Sequence, residues 1–154
     1  MSNAFDFNVE LMKKELIRDE GLRQVPYKDS VGLWTIGVGH LILGKDGKPE
    51  TNVANLPKFW SREKCLAVLE EDMWKHYAPI KDKDWYKALD TDNRRRAMTN
   101  MSFNLGSRLF LFKNTLAYLA KKQWGLAANN LIQSKWFTQV GQRASRIVGL
   151  IRNG

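Results

Sequence analysis

Residues 19–40 read DEGLRQVPYKDSVGLWTIGVGH, and this stretch decides what kind of fold the chain adopts. Ahead of it, Val9, Met12, Leu16 and Ile17 recur at helical spacing while Lys13, Lys14 and Arg18 fill the other faces. Residues 8–20 are therefore expected to form a helix, capped by Asn8 or Asp6. Gly21 offers a left-handed stop, which leaves Glu20 in the last turn, at the negative end of the helix dipole. A further negative charge is unfavourable there, so Glu20 is a candidate for a role other than stability. Beyond Gly21 the pattern turns extended. Pro26 biases Val25 away from helix, Ser30 to Gly32 can make a turn, and Leu33, Trp34, Thr35, Ile36 and Val38 carry strand-type side chains. Gly37 and Gly39 leave room for a bulge or for close approach of another group to the backbone.

Working outward, Lys45-Asp46-Gly47-Lys48 is a turn signal and residues 49–57 look irregular. Ser61 then caps a helix carrying Cys65, Leu66, Leu69, Met73 and Tyr77, which Pro79 should end or kink at Ala78. The remainder is helical in pattern, with helices expected at 91–105 (stopping at Gly106), 108–112, 115–122, 125–134 and 142–151. The expected architecture is α+β in one domain, residues 1–154. A small β-containing lobe (about 21–60) is joined by a linking helix (about 61–78) to a helical lobe (about 80–154) that also takes the helix at 8–20. Clefts tend to form between such lobes.

Composition narrows the partners without choosing one. The chain has 154 residues and is 44% hydrophobic, enough for one compact domain. It shows no internal period and no apolar run near the roughly 20 residues that cross a bilayer. The start, MSNAFDFNVELMKK, lacks the features of a secretory signal, so export by that route is not expected. The single cysteine, Cys65, sits among apolar residues at helical spacing and reads as a small core residue. With Cys65, His40 and His76 as the only soft ligands, no metal site is expected. Lys and Arg number 25 against 16 Asp and Glu, a net charge of +9 that favours an anionic partner. Nucleic acid, anionic lipid and the acidic bacterial envelope all qualify. The basic residues are spread along the chain, with Arg94-Arg95-Arg96 as the one tight cluster, and most are expected on solvated helix faces. The six tryptophans do not assemble with these cations into a basic aromatic face, which argues against a nucleic-acid module.

Glu20, Asp29 and Thr35 have the spacing Glu-x8-Asp-x5-Thr, with Glu20 at a helix end and the other two beside a tight turn. Cleaving a glycosidic bond needs such a set: a protonated carboxyl to donate to the leaving oxygen, and an ionised one across the sugar. Glu20, disfavoured as an anion by its helix terminus, would be the acid; Asp29 would be the base, with the Thr35 hydroxyl helping to hold its water. Acidic pairs at this spacing are common on protein surfaces, so spacing by itself leaves the bland reading open.

The wording of the stretch is more specific. E-G-L-R-x3-Y-K-D-x2-G-x2-T-I-G-x-G-H-L resembles the signature of the phage-type lysozymes, glycoside hydrolase family 24, above all their T-even branch. It is carried by Glu20, Gly21, Leu22, Arg23, Tyr27, Lys28, Asp29, Gly32, Thr35, Ile36, Gly37, Gly39, His40 and Leu41. Asn100 to Gly106 resembles the family's N-x2-F-N-x-G element, and Trp124 to Trp136 followed by Arg143-Ala144-x-Arg146 resembles its C-terminal lobe. The resemblance implies a lysozyme-like fold and hydrolysis of the β-1,4 bond between N-acetylmuramic acid and N-acetylglucosamine in bacterial peptidoglycan. It implies Glu20 as general acid, Asp29 as second carboxylate and Thr35 at the nucleophilic water, acting with inversion and with no metal or organic cofactor.

By the same resemblance, Leu41, Phe103, Asn104, Asn130 and Trp136 are candidates for lining the substrate cleft; for Phe103 and Trp136 simple core packing is the alternative. Arg143 is expected near Glu20 and Arg146 near Asp19. His40 is read as a structural partner of Asp72. Three departures from the T-even branch stand out: a shortened segment 43–60 without a convincing helix, Ala78-Pro79 where that branch continues its long helix, and Asn104 where it carries glutamine. A monomer is expected, with no specific nucleic-acid partner and no transmembrane segment. The resemblance points to accumulation in the host bacterial cytoplasm and action on the wall after release, through a separate membrane-permeabilising protein or a delivery apparatus. The alternative function is a non-catalytic wall-binding protein of the same fold.

Overall fold

The computed structural model describes residues 4–154 and has the expected α+β character. Its contacts divide the chain into two units, Lys13–Asp72 on one side and Met1–Met12 with Met73–Gly154 on the other. The division falls within two helices, α1 (Val9–Glu20) and α2 (Arg62–Tyr77).

The smaller unit is built on a three-stranded antiparallel sheet in the order β1 (Arg23–Lys28), β2 (Trp34–Gly37), β3 (His40–Leu41). Tyr27 lies opposite Thr35, and Thr35 opposite Leu41, so these three side chains form a row across one face. Ile36 and His40, also opposite one another, belong to the other face because strand residues alternate. The register of β1 against β2 shifts between Arg23 and Tyr27. Pro26 falls inside that shift, where its missing N–H cannot serve the ladder. Leu16, Ile36, Val38, Cys65 and Leu69 make the unit's core, each at most 2% exposed. Burial pushes the Cys65 thiol up, as suits a packing residue.

The segment after β3 holds a turn closed by a bridge between Leu43 and Pro49 and then a 3-10 turn, Val53–Asn55, capped by the Asn52 side chain. Trp60 ties it back to the sheet. The Trp60 N–H donates to the Gln24 carbonyl (2.8 Å), the Gln24 amide donates to the Trp60 carbonyl (3.2 Å), and the indole packs over Gly37, where a Cβ would lie 3.3 Å from the ring. Ser61 caps α2 by accepting from Lys64 N–H (3.0 Å), and the helix stops at Tyr77, ahead of Pro79.

In the larger unit the helices are α3 (Asp84–Lys87), α4 (Asp92–Leu105), a 3-10 stretch Gly106–Leu111, α5 (Lys113–Ala120), α6 (Trp124–Ile132), α7 (Lys135–Val140) and α8 (Gln142–Asn153). The sequence pattern had no room for α3 and α7, which are four and six residues long, too short to show a period. α7 starts where the Ser134 hydroxyl accepts from Phe137 N–H (3.2 Å). α8 packs on α4, α6 and α7 through Ala144, Ile147, Val148 and Ile151. The chain before α1 is pinned to this unit: Tyr86 donates to Asp6 (2.7 Å) and Asn8 N–H donates to Asp92 (2.7 Å). Asn8 in turn caps α1 through Leu11 N–H (3.0 Å). Burial and Asp6 together push the Tyr77 phenol up to about 12 and that of Tyr86 further still, so both stay protonated donors. Among the described residues, no helix is long and apolar enough to cross a membrane.

The basic cluster is turned inward. Arg94 and Arg96 are 7% and 4% exposed and do not lie on a solvated face. Arg94 donates to the Ile151 carbonyl (2.8 Å), the Arg152 carbonyl (3.3 Å) and Asp90 (2.9 Å), with Trp124 beneath its guanidinium (4.2 Å). Arg95 donates to the carbonyls of Asp6 and Leu89, and Arg96 to Asp92 and Asn93. A guanidinium aimed at the last carbonyls of α8 satisfies acceptors that have no helical partner and complements the helix dipole. Arg94→Met should remove these bonds while keeping the volume, at a cost of about 3 kcal/mol. Thermal unfolding is expected to show a Tm lowered by roughly 6–12 °C for a chain of this size, with activity per folded molecule unchanged.

Candidate active site

Glu20 closes α1, and Gly21 follows in the left-handed region (φ 78) while its N–H donates to Ile17 (2.8 Å), so the helix ends in the way its sequence suggests. The side chain then lies against the turn between β2 and β3. A Cβ placed on Gly39 would fall 2.7 Å from Glu20 Oε1, 2.8 Å from its carboxyl carbon and 3.0 Å from Cγ. Gly39 also has φ +63. Two requirements therefore converge on a residue without a side chain, and the carboxyl comes closer to the backbone than any other residue would permit.

Asp29 follows β1 and organises the hairpin turn. Its N–H donates to the Leu33 carbonyl (2.9 Å), and its carbonyl accepts from Gly32 N–H (3.0 Å). Its Oδ1 accepts from the N–H groups of Val31 (3.0 Å) and Leu33 (2.8 Å). One carboxylate oxygen thus locks the turn, as aspartate commonly does, and Oδ2 is left outside these bonds. Thr35, 5% exposed, donates its hydroxyl to the Leu33 carbonyl (3.0 Å), so that Oγ1 is oriented and retains its lone pairs. Leu33 is therefore the link through which the positions of Asp29 and Thr35 are set together.

Tyr27 belongs to the same group, although the sequence argument assigned it no role. It stands opposite Thr35, and the Arg23 guanidinium lies 4.6 Å from its ring centre. Burial first, then the charge of Glu20, pushes its phenol up; Arg23 opposes and Asp29 adds to the rise.

His40 is turned to the other face of the sheet, where its Nδ1 lies 2.6 Å from Asp72 Oδ2 and its ring lies 5.5 Å from that of Trp60. Asp19, beside Glu20, accepts from the Arg18 guanidinium (3.2 Å), and its carboxylate is 1% exposed. The smaller unit thus holds Glu20, Asp29, Thr35, Leu41, His40, Asp72 and Asp19 of the expected residues.

The larger unit holds the others. Trp136 Nε1 donates to Asn104 Oδ1 (2.8 Å), and both line an open cavity of about 250 Å³ with Arg108, Leu111 and Phe112. Asn130 accepts from the Thr115 hydroxyl (2.5 Å) and lines a neighbouring cavity of about 350 Å³, which shares Leu111 and Phe112. Phe103 is buried, with its ring 5.0 Å from that of His76. Arg143 is buried on α8 and donates to Asn100 (2.9 Å); Arg146 is half-buried on the same helix.

A helix-end glutamate against a glycine turn, and an aspartate and a threonine tied through one hairpin, are the residue types that glycosidic hydrolysis uses. Comparison with known proteins gives the family. The phage lysozyme family matches residues 18–153. The chain is 29% identical to the probable T4-type lysozyme 2 of Dictyostelium discoideum over 95% of its own length and 96% of that protein's. It is 32% identical to the probable T4-type lysozyme 1 of the same organism, over 95% and 96% of the two chains. It is also 29% identical to the pre-baseplate central spike protein Gp5 of Enterobacteria phage T4, over 93% of this chain and 28% of that one. The chain belongs to the phage lysozyme family. It is a lysozyme, a glycoside hydrolase acting on peptidoglycan.

Gly39→Ala and Gly32→Ala separate two effects. Both positions have positive φ, but a Cβ at Gly32 meets nothing within 4 Å. Each substitution should cost about 1 kcal/mol of stability by thermal unfolding, whereas Gly39→Ala alone should displace Glu20 and lower wall-clearing activity by roughly 10²-fold. For the His40–Asp72 pair the expected order is reversed: His40→Asn should lower stability by about 2 kcal/mol and leave clearing per folded molecule within a factor of two. A well-folded but inactive His40→Asn would show that the imidazole takes part in the chemistry.

Proposed function

We propose that the protein is an endolysin-type muramidase, hydrolysing the β-1,4 bond between N-acetylmuramic acid and N-acetylglucosamine by an inverting acid/base mechanism. The observation that carries this reading is the shared anchoring of Asp29 and Thr35 to Leu33, on a hairpin whose next turn receives the Glu20 carboxyl at Gly39. Glu20, protonated, gives its proton to the bridging oxygen as the bond from that oxygen to the anomeric carbon breaks. A water on the opposite sugar face attacks the anomeric carbon. That water donates one hydrogen to Asp29 Oδ2, which removes it as a proton, and the other to Thr35 Oγ1. Its lone pair is thereby aimed at carbon. Thr35 suits this task because its own hydroxyl hydrogen is already given to Leu33. Inversion needs room for the water, and a carboxylate separation of roughly 6.5–9.5 Å is the range that provides it.

Leu41, Asn104, Asn130 and Trp136 are proposed to contact the glycan, with Phe103 supporting them from the core. Arg143, Arg146 and Asp19 are proposed as the charged support of the acid. The positive net charge holds the enzyme on an acidic wall. We place its accumulation in the host cytoplasm and its action as a monomer at the wall, after release or delivery by another component.

Glu20→Gln and Asp29→Asn should each slow clearing of purified cell walls by roughly 10²–10⁴-fold while leaving wall binding and Tm nearly unchanged. Mass spectrometry of the wild-type digest should show reducing muramic acid ends. Anhydromuramic ends would establish a lytic transglycosylase instead, and clearing by wild type no faster than by Glu20→Gln would establish a protein that only binds the wall.

A further inference from the structure

Trp60 meets the turn that receives Glu20, yet it takes no part in the acid/base steps. The turn runs over residues 37–40: Gly37 ends β2, His40 opens β3, and the Glu20 carboxyl rests on Gly39 between them. Gly37 and Gly39 both have positive φ (+69 and +63), and neither has a side chain to pack. Such a backbone has wide conformational latitude, so its course is set by what packs on it. Val38, 2% exposed, anchors its middle in the core. Trp60 sets the point where it leaves β2: indole Cζ3 and Cε3 lie 3.3 and 3.4 Å from the place a Cβ would take on Gly37. The indole is itself held. Trp60 N–H donates to the Gln24 carbonyl on β1 (2.8 Å), its carbonyl accepts from the Gln24 amide (3.2 Å), and the Lys64 ammonium of α2 lies over the ring at 5.4 Å. One side chain thus joins β1, the end of β2 and α2 at the base of the turn, all within the smaller unit.

We propose that Trp60 is a positioning residue for the acid, bracing the glycine turn so that Gly39 keeps the Glu20 carboxyl in place. This rests on the muramidase reading and adds a residue to it. Giving a proton to the bridging oxygen requires the carboxyl within hydrogen-bond reach of it, and a displacement of about 1 Å costs on the order of 10²-fold. Glu20 lies closer to Gly39 than a Cβ would permit, so a shift of the turn is passed directly to the carboxyl. The close contact of the indole is with Gly37; the His40 imidazole only flanks it, at 5.5 Å between ring centres. Loss of the imidazole therefore leaves the brace standing, in keeping with the activity expected of His40→Asn. Because Trp60 acts on the acid and not on the glycan, its effect belongs to kcat.

Trp60→Leu keeps an apolar side chain and loses the flat ring, whereas Trp60→Phe keeps a ring. Initial clearing rates across wall concentrations, per folded molecule and below each Tm, should show kcat lowered by roughly 10–10²-fold in Trp60→Leu with KM within a factor of two. Trp60→Phe should return kcat to within about threefold of wild type. Gly37→Ala reaches the same contact from the strand and should lower kcat in the same way, and it decides the matter if Trp60→Leu does not fold. Placed on Glu20→Gln, where no acid is left to position, Trp60→Leu should change the residual clearing by less than about twofold. The proposal is overturned by a kcat within a factor of two of wild type, by a loss confined to KM, or by an equal loss on the Glu20→Gln background. Each of these makes Trp60 a packing or wall-contact residue and leaves the muramidase reading intact. If Glu20→Gln clears walls as fast as wild type, or wild type does not clear them, the muramidase reading fails and the positioning role with it.

Discussion

The pairing of β1 with β2 is the constraint on which the site depends. Strand side chains alternate in direction, so a slip of one residue would send Thr35 to the face now held by Ile36 and His40 and detach it from Tyr27 and Leu41. The register is held at the turn, where Asp29 Oδ1 accepts from two backbone N–H groups and the Asp29 N–H is returned to Leu33. Asp29 therefore fixes the geometry of the hairpin that carries it. This anchoring explains how a three-stranded sheet with a two-residue edge strand can hold its register. The remaining support comes from outside the ladder, through Trp60 over Gly37 and the His40–Asp72 pair that joins β3 to α2.

The glycines of TIGVGH divide the work differently from their similar sequence surroundings. Gly37 makes room for an indole ring that brings the shortened segment 43–60 back to the sheet, and Gly39 makes room for the carboxyl of Glu20. Both have positive φ. The first serves the integrity of the unit, and the second the close approach of Glu20.

Charge follows a similar logic. The net charge of +9 suggests an anionic partner, but the cluster that would mark a nucleic-acid footprint is turned inward. Arg94, Arg95 and Arg96 bind carbonyls and carboxylates of their own unit, including the last turn of α8. The cations left for a partner are dispersed, an arrangement suited to retention on an extended anionic wall and poorly suited to reading a groove.

The helix of residues 8–20, the hairpin, the capped helix from Ser61 and the stop at Gly106 were all legible in the chain, because each is set by local rules: apolar period, cap, turn residue and glycine stop. The family was legible too, once the wording around Glu20, Asp29 and Thr35 was matched to it. The helices α3 and α7 were not, being shorter than a hydrophobic period. Nor were the inward course of Arg94 and Arg96, the anchoring role of Trp60, or the place of Tyr27 opposite Thr35 and under Arg23. Each of these depends on a partner distant in the chain, such as Ile151 for Arg94, Gln24 for Trp60 and Glu20 for Gly39. Local preference sets where a segment turns or coils. Which side chain meets which backbone, and so which glycine is needed for chemistry, is decided only when the elements pack.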